Sequence, residues 1–156
     1  MNARLLIVAL LGLSCIAQAA DTPGSSPNVV LPTVQERLAV ARKALEAKEW
    51  NAAMRELGTA LREAPQNADV HNLLGYSYRK RARPDMGKAI EHYQKALRLD
   101  PRHKGAHAYI GEAYLMEKRP QQAEQHLAEL ERICGNRTCE EYQDLAKSIA
   151  DYKAKN

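Results

Sequence analysis

His103 and His107 stand four residues apart, the spacing that puts two metal ligands on one helical face. No carboxylate or thiol constellation completes a coordination sphere around any of the five histidines, so no metal is assigned. Cys134 and Cys139 are too far apart for the Cys-x-x-Cys of redox motifs, and no His follows them as haem attachment needs. A zinc site would need four ligands where two cysteines are close. Ser25, Ser26, Ser77 and Ser148 lack the strand-turn-helix elbow of an activated serine, and no glycine-rich phosphate loop is present. The chain therefore reads as non-enzymatic and without a cofactor, with periplasmic redox or metal handling through Cys134 and Cys139 as the alternative.

The densest charge is the run Arg79, Lys80, Arg81, Arg83. A solvated loop is its ordinary meaning. The functional meaning is a patch for an acidic protein or for anionic lipid head groups, which makes a weak membrane-surface contact a second alternative. A formal charge of +4 over 156 residues does not call for nucleic acid.

The elements that must carry these residues are helical. Aromatics are 5% of the chain and Phe is absent, while Ala, Leu, Glu, Lys, Arg and Gln dominate, a mix of strong helix formers. Before them, Arg4, the apolar stretch Leu5 to Leu13 and Ala17-Gln18-Ala19 make the three parts of a secretory signal, 1–19, cleaved after Ala19. The apolar stretch is about half of the ~20 residues a spanning helix needs. A lipoprotein acylated at Cys15 is the weaker reading, because Gly12-Leu13-Ser14 is a poor match to the expected Leu-small-small-Cys. Export makes the protein periplasmic or secreted, removes Cys15, and leaves Cys134 and Cys139 as an even pair in an oxidising compartment. A disulfide between them closes a short loop and contributes about 2 kcal/mol.

Residues 20–32 are rich in proline, glycine and serine and read as a flexible tether. Thr33 with Glu36 then fits a capping box, and Val34, Leu38, Ala41 and Leu45 recur at helical spacing. From there the pattern repeats. His71-x-x-Leu74-Gly75-x-x-Tyr78 is matched by His107-x-x-Ile110-Gly111-x-x-Tyr114 and more weakly by Arg37-x-x-Val40-Ala41-x-x-Ala44. Each block is followed by an alanine with a large apolar residue four positions on: Ala53 and Leu57, Ala89 and Tyr93, Ala123 and Leu127. Breakers at Pro65, Pro101 and Gly135 close the units, about 34–67, 68–103 and 104–137. The same register pairs His71 with His107 and His92 with His126 as equivalent positions, so duplication accounts for the histidines. The second unit is two residues longer, at the basic run.

These blocks resemble the tetratricopeptide repeat, Trp-x-x-Leu-Gly-x-x-Tyr, Ala-x-x-x-Phe, then Pro. No copy keeps the Trp, the first has Ala41 for Gly, and the third ends in Gly135-Asn136. The resemblance implies an all-α, right-handed solenoid of three helix-turn-helix units. Gly75 and Gly111 then mark close helix approach within hairpins, with Ala53, Ala89 and Ala123 facing. Thr138 and Glu141 repeat the capping-box spacing, and Tyr142, Leu145, Ile149 and Tyr152 form one stripe, predicting a seventh helix over about 138–153 that covers the third unit. The resemblance also implies a concave surface that binds a peptide or partner helix, with Arg42, Asn72, Tyr76, Arg79 and Glu112 as groove residues. On that basis the chain is expected to be a protein-binding scaffold or assembly factor of a bacterial envelope, its partner and oligomeric state unspecified.

Overall fold

Thr33 starts the first helix as its spacing predicts: its Oγ1 accepts from the Glu36 amide at 3.3 Å, and the Glu36 carboxylate accepts from the Thr33 amide at 2.7 Å. The computed structural model describes residues 31–156. The signal peptide, Cys15 and nearly all of the tether fall outside them. Among the described residues there are seven helices and no strand: α1 Val34–Glu46, α2 Trp50–Glu63, α3 Ala68–Lys80, α4 Met86–Leu99, α5 Lys104–Met116, α6 Pro120–Cys134 and α7 Glu140–Lys155. Consecutive helices pair as hairpins α1–α2, α3–α4 and α5–α6, each hairpin stacks on the next, and α7 lies against α5 and α6. None of these helices is long and apolar enough to cross a membrane.

The repeated small residues do the packing. Ala53, Ala89 and Ala123 are fully buried, as are Leu57 and Tyr93, while Leu127 is half-buried. A Cβ on Gly75 would stand 2.7 Å from the Tyr93 ring and 3.0 Å from the Ala89 carbonyl, so glycine there is what lets α3 and α4 close. Gly111 differs from the expectation. A Cβ there would lie 2.6 Å from Leu145, so its close approach is made to α7 rather than to its own hairpin partner. Leu145 and Ile149 are buried and Tyr142 and Tyr152 pack beside them, which makes α7 a cap on the last repeat. The first repeat has no counterpart among the described residues, and Val40 on α1 is 53% exposed where its equivalents Leu74 and Ile110 are buried.

Three local structures depart from the sequence reading. The Thr138–Glu141 capping box does not form: Asn136 Oδ1 takes both the Thr138 amide and hydroxyl, at 2.9 and 2.8 Å, and the N-cap is Cys139. The pair Cys134 and Cys139 spans this turn, with Cα atoms 6.3 Å apart. In the first and third hairpins the turn is tight and holds a left-handed lysine, Lys48 (φ 59°) or Lys118 (φ 57°), which no composition signal announced. The amide of the residue immediately before the next helix returns to an equivalent carbonyl in both, Glu49 to Ala44 and Arg119 to Tyr114, each at 2.8 Å. The longer second turn keeps that closure, Asp85 to Tyr78 at 3.0 Å, so its extra residues bulge outward.

Candidate functional site

The first helices of the hairpins, α1, α3 and α5, line one side of the stack, and α7 closes it. Arg42, Asn72, Tyr76, Arg79 and Glu112 all lie along this face, distributed over α1, α3 and α5. The structure adds Leu73 and Tyr109 at its centre and Asp69, Glu140, Glu141 and Asp144 along its edge. Tyr109 was visible in the repeat register, since it occupies the position that Leu73 holds one repeat earlier. The α7 carboxylates were not, because no repeat equivalent announces where the capping helix turns its first residues.

Tyr76 and Tyr109 are half-buried, with ring centroids 5.1 Å apart. The Arg79 guanidinium lies 5.5 and 5.6 Å from the two ring centroids. Beneath them Arg79 Nε donates to the Tyr93 hydroxyl at 3.3 Å, and Nη1 meets Glu112 at 2.5 Å. Burial alone would lower the Arg79 pKa, but Tyr93 and Glu112 outweigh it and raise it, so the cation is permanent. Burial also pushes the Tyr93 phenol up and keeps it neutral.

Arg79 is 4% exposed, which corrects its assignment to a solvated basic turn. The physical reason is register: its equivalents in the other repeats are the buried Leu45 and Leu115. It is a floor on which Tyr76 and Tyr109 rest. Two buried polar atoms have no hydrogen-bond partner among the described residues, Arg79 Nη2 and Asn72 Oδ1.

Of the remaining basic residues, Lys80 reaches back over the Tyr76 ring, its Nζ 5.9 Å from the centroid, while Arg81 and Arg83 lie in the hairpin turn. Lys80 and Arg83 are exposed, while Arg81 donates to the Arg83 carbonyl at 2.8 Å, stands 3.6 Å from Asp85 and covers the Tyr78 ring. Arg81 and Arg83 share a shallow depression with Lys48, Arg55 and Trp50 from the first repeat.

The histidines are brought together, but not as the i, i+4 pair. His103 caps α5, its Nδ1 accepting from the Ala106 amide at 3.1 Å while Nε2 donates to Asp69 at 3.3 Å. His71 donates from Nε2 to the Pro65 carbonyl, so in the neutral ring its Nδ1 accepts from His92 Nδ1 at 3.0 Å. His107 repeats this with the Pro101 carbonyl and with His126, the latter at 2.9 Å. Tyr78 and Tyr114 stack on the outer rings. These are duplicated polar clamps between paired helices. Burial, then the neighbouring His107, lowers the His126 pKa to about 4; burial likewise lowers His92 and His107. Ser77, fully buried, spends its hydroxyl on the Leu73 carbonyl at 2.7 Å and is no nucleophile.

Two models of the tetratricopeptide repeat match, over residues 38–100 and 81–149. No curated protein sequence matches the chain. Among solved structures, the type III secretion translocator chaperone SycD of Yersinia enterocolitica superposes with a TM-score of 0.66 at 15% identity, covering 82% of this chain and 97% of that one. An O-GlcNAc transferase mutant of Thermobaculum terrenum superposes with a TM-score of 0.60 at 20% identity, covering 66% of this chain. The chain spans only 20% of the transferase's length. At these identities the likeness concerns the fold.

Proposed function

Because the chain belongs to the tetratricopeptide-repeat family, a family of interaction modules, we propose that it is a non-enzymatic scaffold or assembly factor whose concave groove holds a peptide or partner helix. The observation that carries this reading is the Tyr76–Tyr109 pair, half-open on a face to which every hairpin contributes and held from below by Arg79. Tyrosines that are rigid and partly exposed are the side chains that most often anchor protein contacts. The same fold serves a translocator chaperone, SycD, which accords with a protein partner.

The proposal places the protein in the bacterial envelope, exported by residues 1–19, with Cys134 and Cys139 joined as a disulfide that fixes the turn into α7. Thiol titration of unreduced protein tests this part: no free thiol is expected in the exported form, and a pair that cycles readily would instead favour redox work. A second reading, a membrane-surface or acidic-protein adaptor, rests on the depression where Arg81 and Arg83 meet Lys48, Arg55 and Trp50.

Capture from envelope extract with wild-type and Tyr76→Ala baits tests the groove. The expected outcome is a specific protein lost from the variant and retained by Arg81→Glu/Arg83→Glu. Retention by the first and loss from the second would transfer the function to the turn.

A further inference from the structure

The net-positive chain has an acidic concave face. Glu46, Asp69, Glu112, Glu140, Glu141 and Asp144 border the groove around Leu73, Tyr76 and Tyr109, against Arg42 and Lys104 on that rim and Lys80, whose Nζ stands 5.9 Å from the Tyr76 ring centroid. Part of this charge is spent internally: Asp69 is paired with Arg42 at 3.3 Å, Glu112 with Arg79 at 2.5 Å and Glu141 with Lys104 at 3.8 Å. Among the described residues, Glu46, Glu140 and Asp144 enter no ion pair, and the last two stand on the first turns of α7, facing the aromatic centre from across the groove. Like charges gathered on one concave wall repel one another, and an occupant of opposite charge relieves that repulsion.

Asn72 is 5% exposed in the wall of the same groove, but its partnerless Oδ1 is sealed inside the fold. It leaves the choice of occupant to the charge of the rim.

We propose that the groove's occupant is a cationic polypeptide segment, with lysine or arginine side chains set against Glu140 and Asp144 and an apolar side chain on Tyr76 and Tyr109. This rests on the reading of the groove as the docking face and adds the chemistry of its partner. The chain's own residues 20–32 contain no lysine or arginine and do not fit as the occupant.

Two fluorescein-labelled peptides of equal length and identical apolar residues, one with lysine and one with glutamate at every third position, test it by anisotropy with the purified protein. The lysine peptide is expected to bind at least about tenfold tighter than the glutamate peptide at low salt, with the difference shrinking as salt is added. Glu140→Gln with Asp144→Asn, both exposed residues, should weaken the lysine peptide about fivefold or more while the melting curve stays unchanged. Glu91→Gln with Glu117→Gln, an equal loss of exposed charge elsewhere, should leave it within twofold or so.

Failure to bind the lysine peptide, equal affinity for both peptides, or indifference to Glu140→Gln/Asp144→Asn overturns the inference. If the two peptides bind equally and Tyr76→Ala weakens both, the groove stands as a docking face and its cationic preference falls. If Tyr76→Ala and the α7 pair both leave binding untouched, the groove reading falls with it. Self-association abolished by Arg81→Glu/Arg83→Glu would make a second copy of the chain the occupant, which also overturns the proposal.

Discussion

The groove and the basic turn are both charged, and they differ in what holds the charge. In the groove, Tyr76 and Tyr109 rest on an arginine that is 4% exposed and bonded to both Tyr93 and Glu112. At the turn, Arg83 projects into solvent, Lys80 reaches from the surface toward the Tyr76 ring at 5.9 Å, and Arg81 is tied only to a neighbouring carbonyl, Asp85 and the face of Tyr78. A recognition surface needs side chains whose positions are settled before the partner arrives, because each one immobilised on binding costs affinity. By that criterion the groove is prepared and the turn is not.

The largest effect should come from removing the support. Arg79→Ala strands Glu112 and leaves a hole under two tyrosines, so a loss of about 3–5 kcal/mol in denaturant unfolding is expected. Arg83→Ala should change stability by less than about 0.5 kcal/mol. Equal effects would erase the distinction between the two regions.

Tyr76→Ala should cost about 2 kcal/mol or more of binding to a captured partner, with little dependence on salt. Arg81→Glu with Arg83→Glu should leave binding of a cationic partner undiminished at either salt concentration, whereas a loss that added salt mimics would place the contact at the turn. Surface plasmon resonance at two salt concentrations separates them.

Gly111→Ala tests the far wall of the groove. The new methyl collides with Leu145, which is fully buried and has nowhere to go, so a loss of roughly 1–3 kcal/mol is expected, accompanied by a shift of α7. Amide hydrogen exchange should then rise along α7 and not at the turn.

The histidine clamps give the pH dependence of the framework. His126 is held neutral in the fold, with a pKa of about 4 against 6.5 for an ordinary histidine, so the unfolded chain binds the proton first. Stability from this site is complete above pH 6.5 and is lost as pH falls toward 4. His126→Gln should flatten the melting temperature between those limits. An unchanged slope would show that the clamp does not carry it.

The smallest effect belongs to the tight turns. Lys118→Gly relieves a left-handed backbone and should stabilise by up to about 1 kcal/mol, provided the added freedom of the unfolded chain does not offset it.

Much of this was legible in the chain. Recurrence of the Leu-Gly and Ala landmarks yields the hairpins, and the Tyr142, Leu145, Ile149, Tyr152 stripe yields the cap. Arg79 was misread because charge outweighed register: the position is Leu45 and Leu115 in the other repeats, and a buried partner set made from Tyr93 and Glu112 is a property of the folded stack. Thr138 was misread because Asn136, two residues earlier, competes for the same donors. Pairing of His71 with His92 and of His107 with His126 depends on how facing helices dock, which repeat equivalence alone does not specify. Left-handed Lys48 and Lys118 carry no glycine signal at all.

The central claim, that the prepared groove and not the turn is where this protein makes contact, is tested most directly by titrating the lysine peptide into isotope-labelled protein and following backbone amide chemical shifts. The account predicts perturbations concentrated at Leu73, Tyr76, Tyr109, Glu140 and Asp144, with Arg81 to Arg83 unmoved. Perturbations confined to the turn and Trp50, with the groove silent, would contradict it.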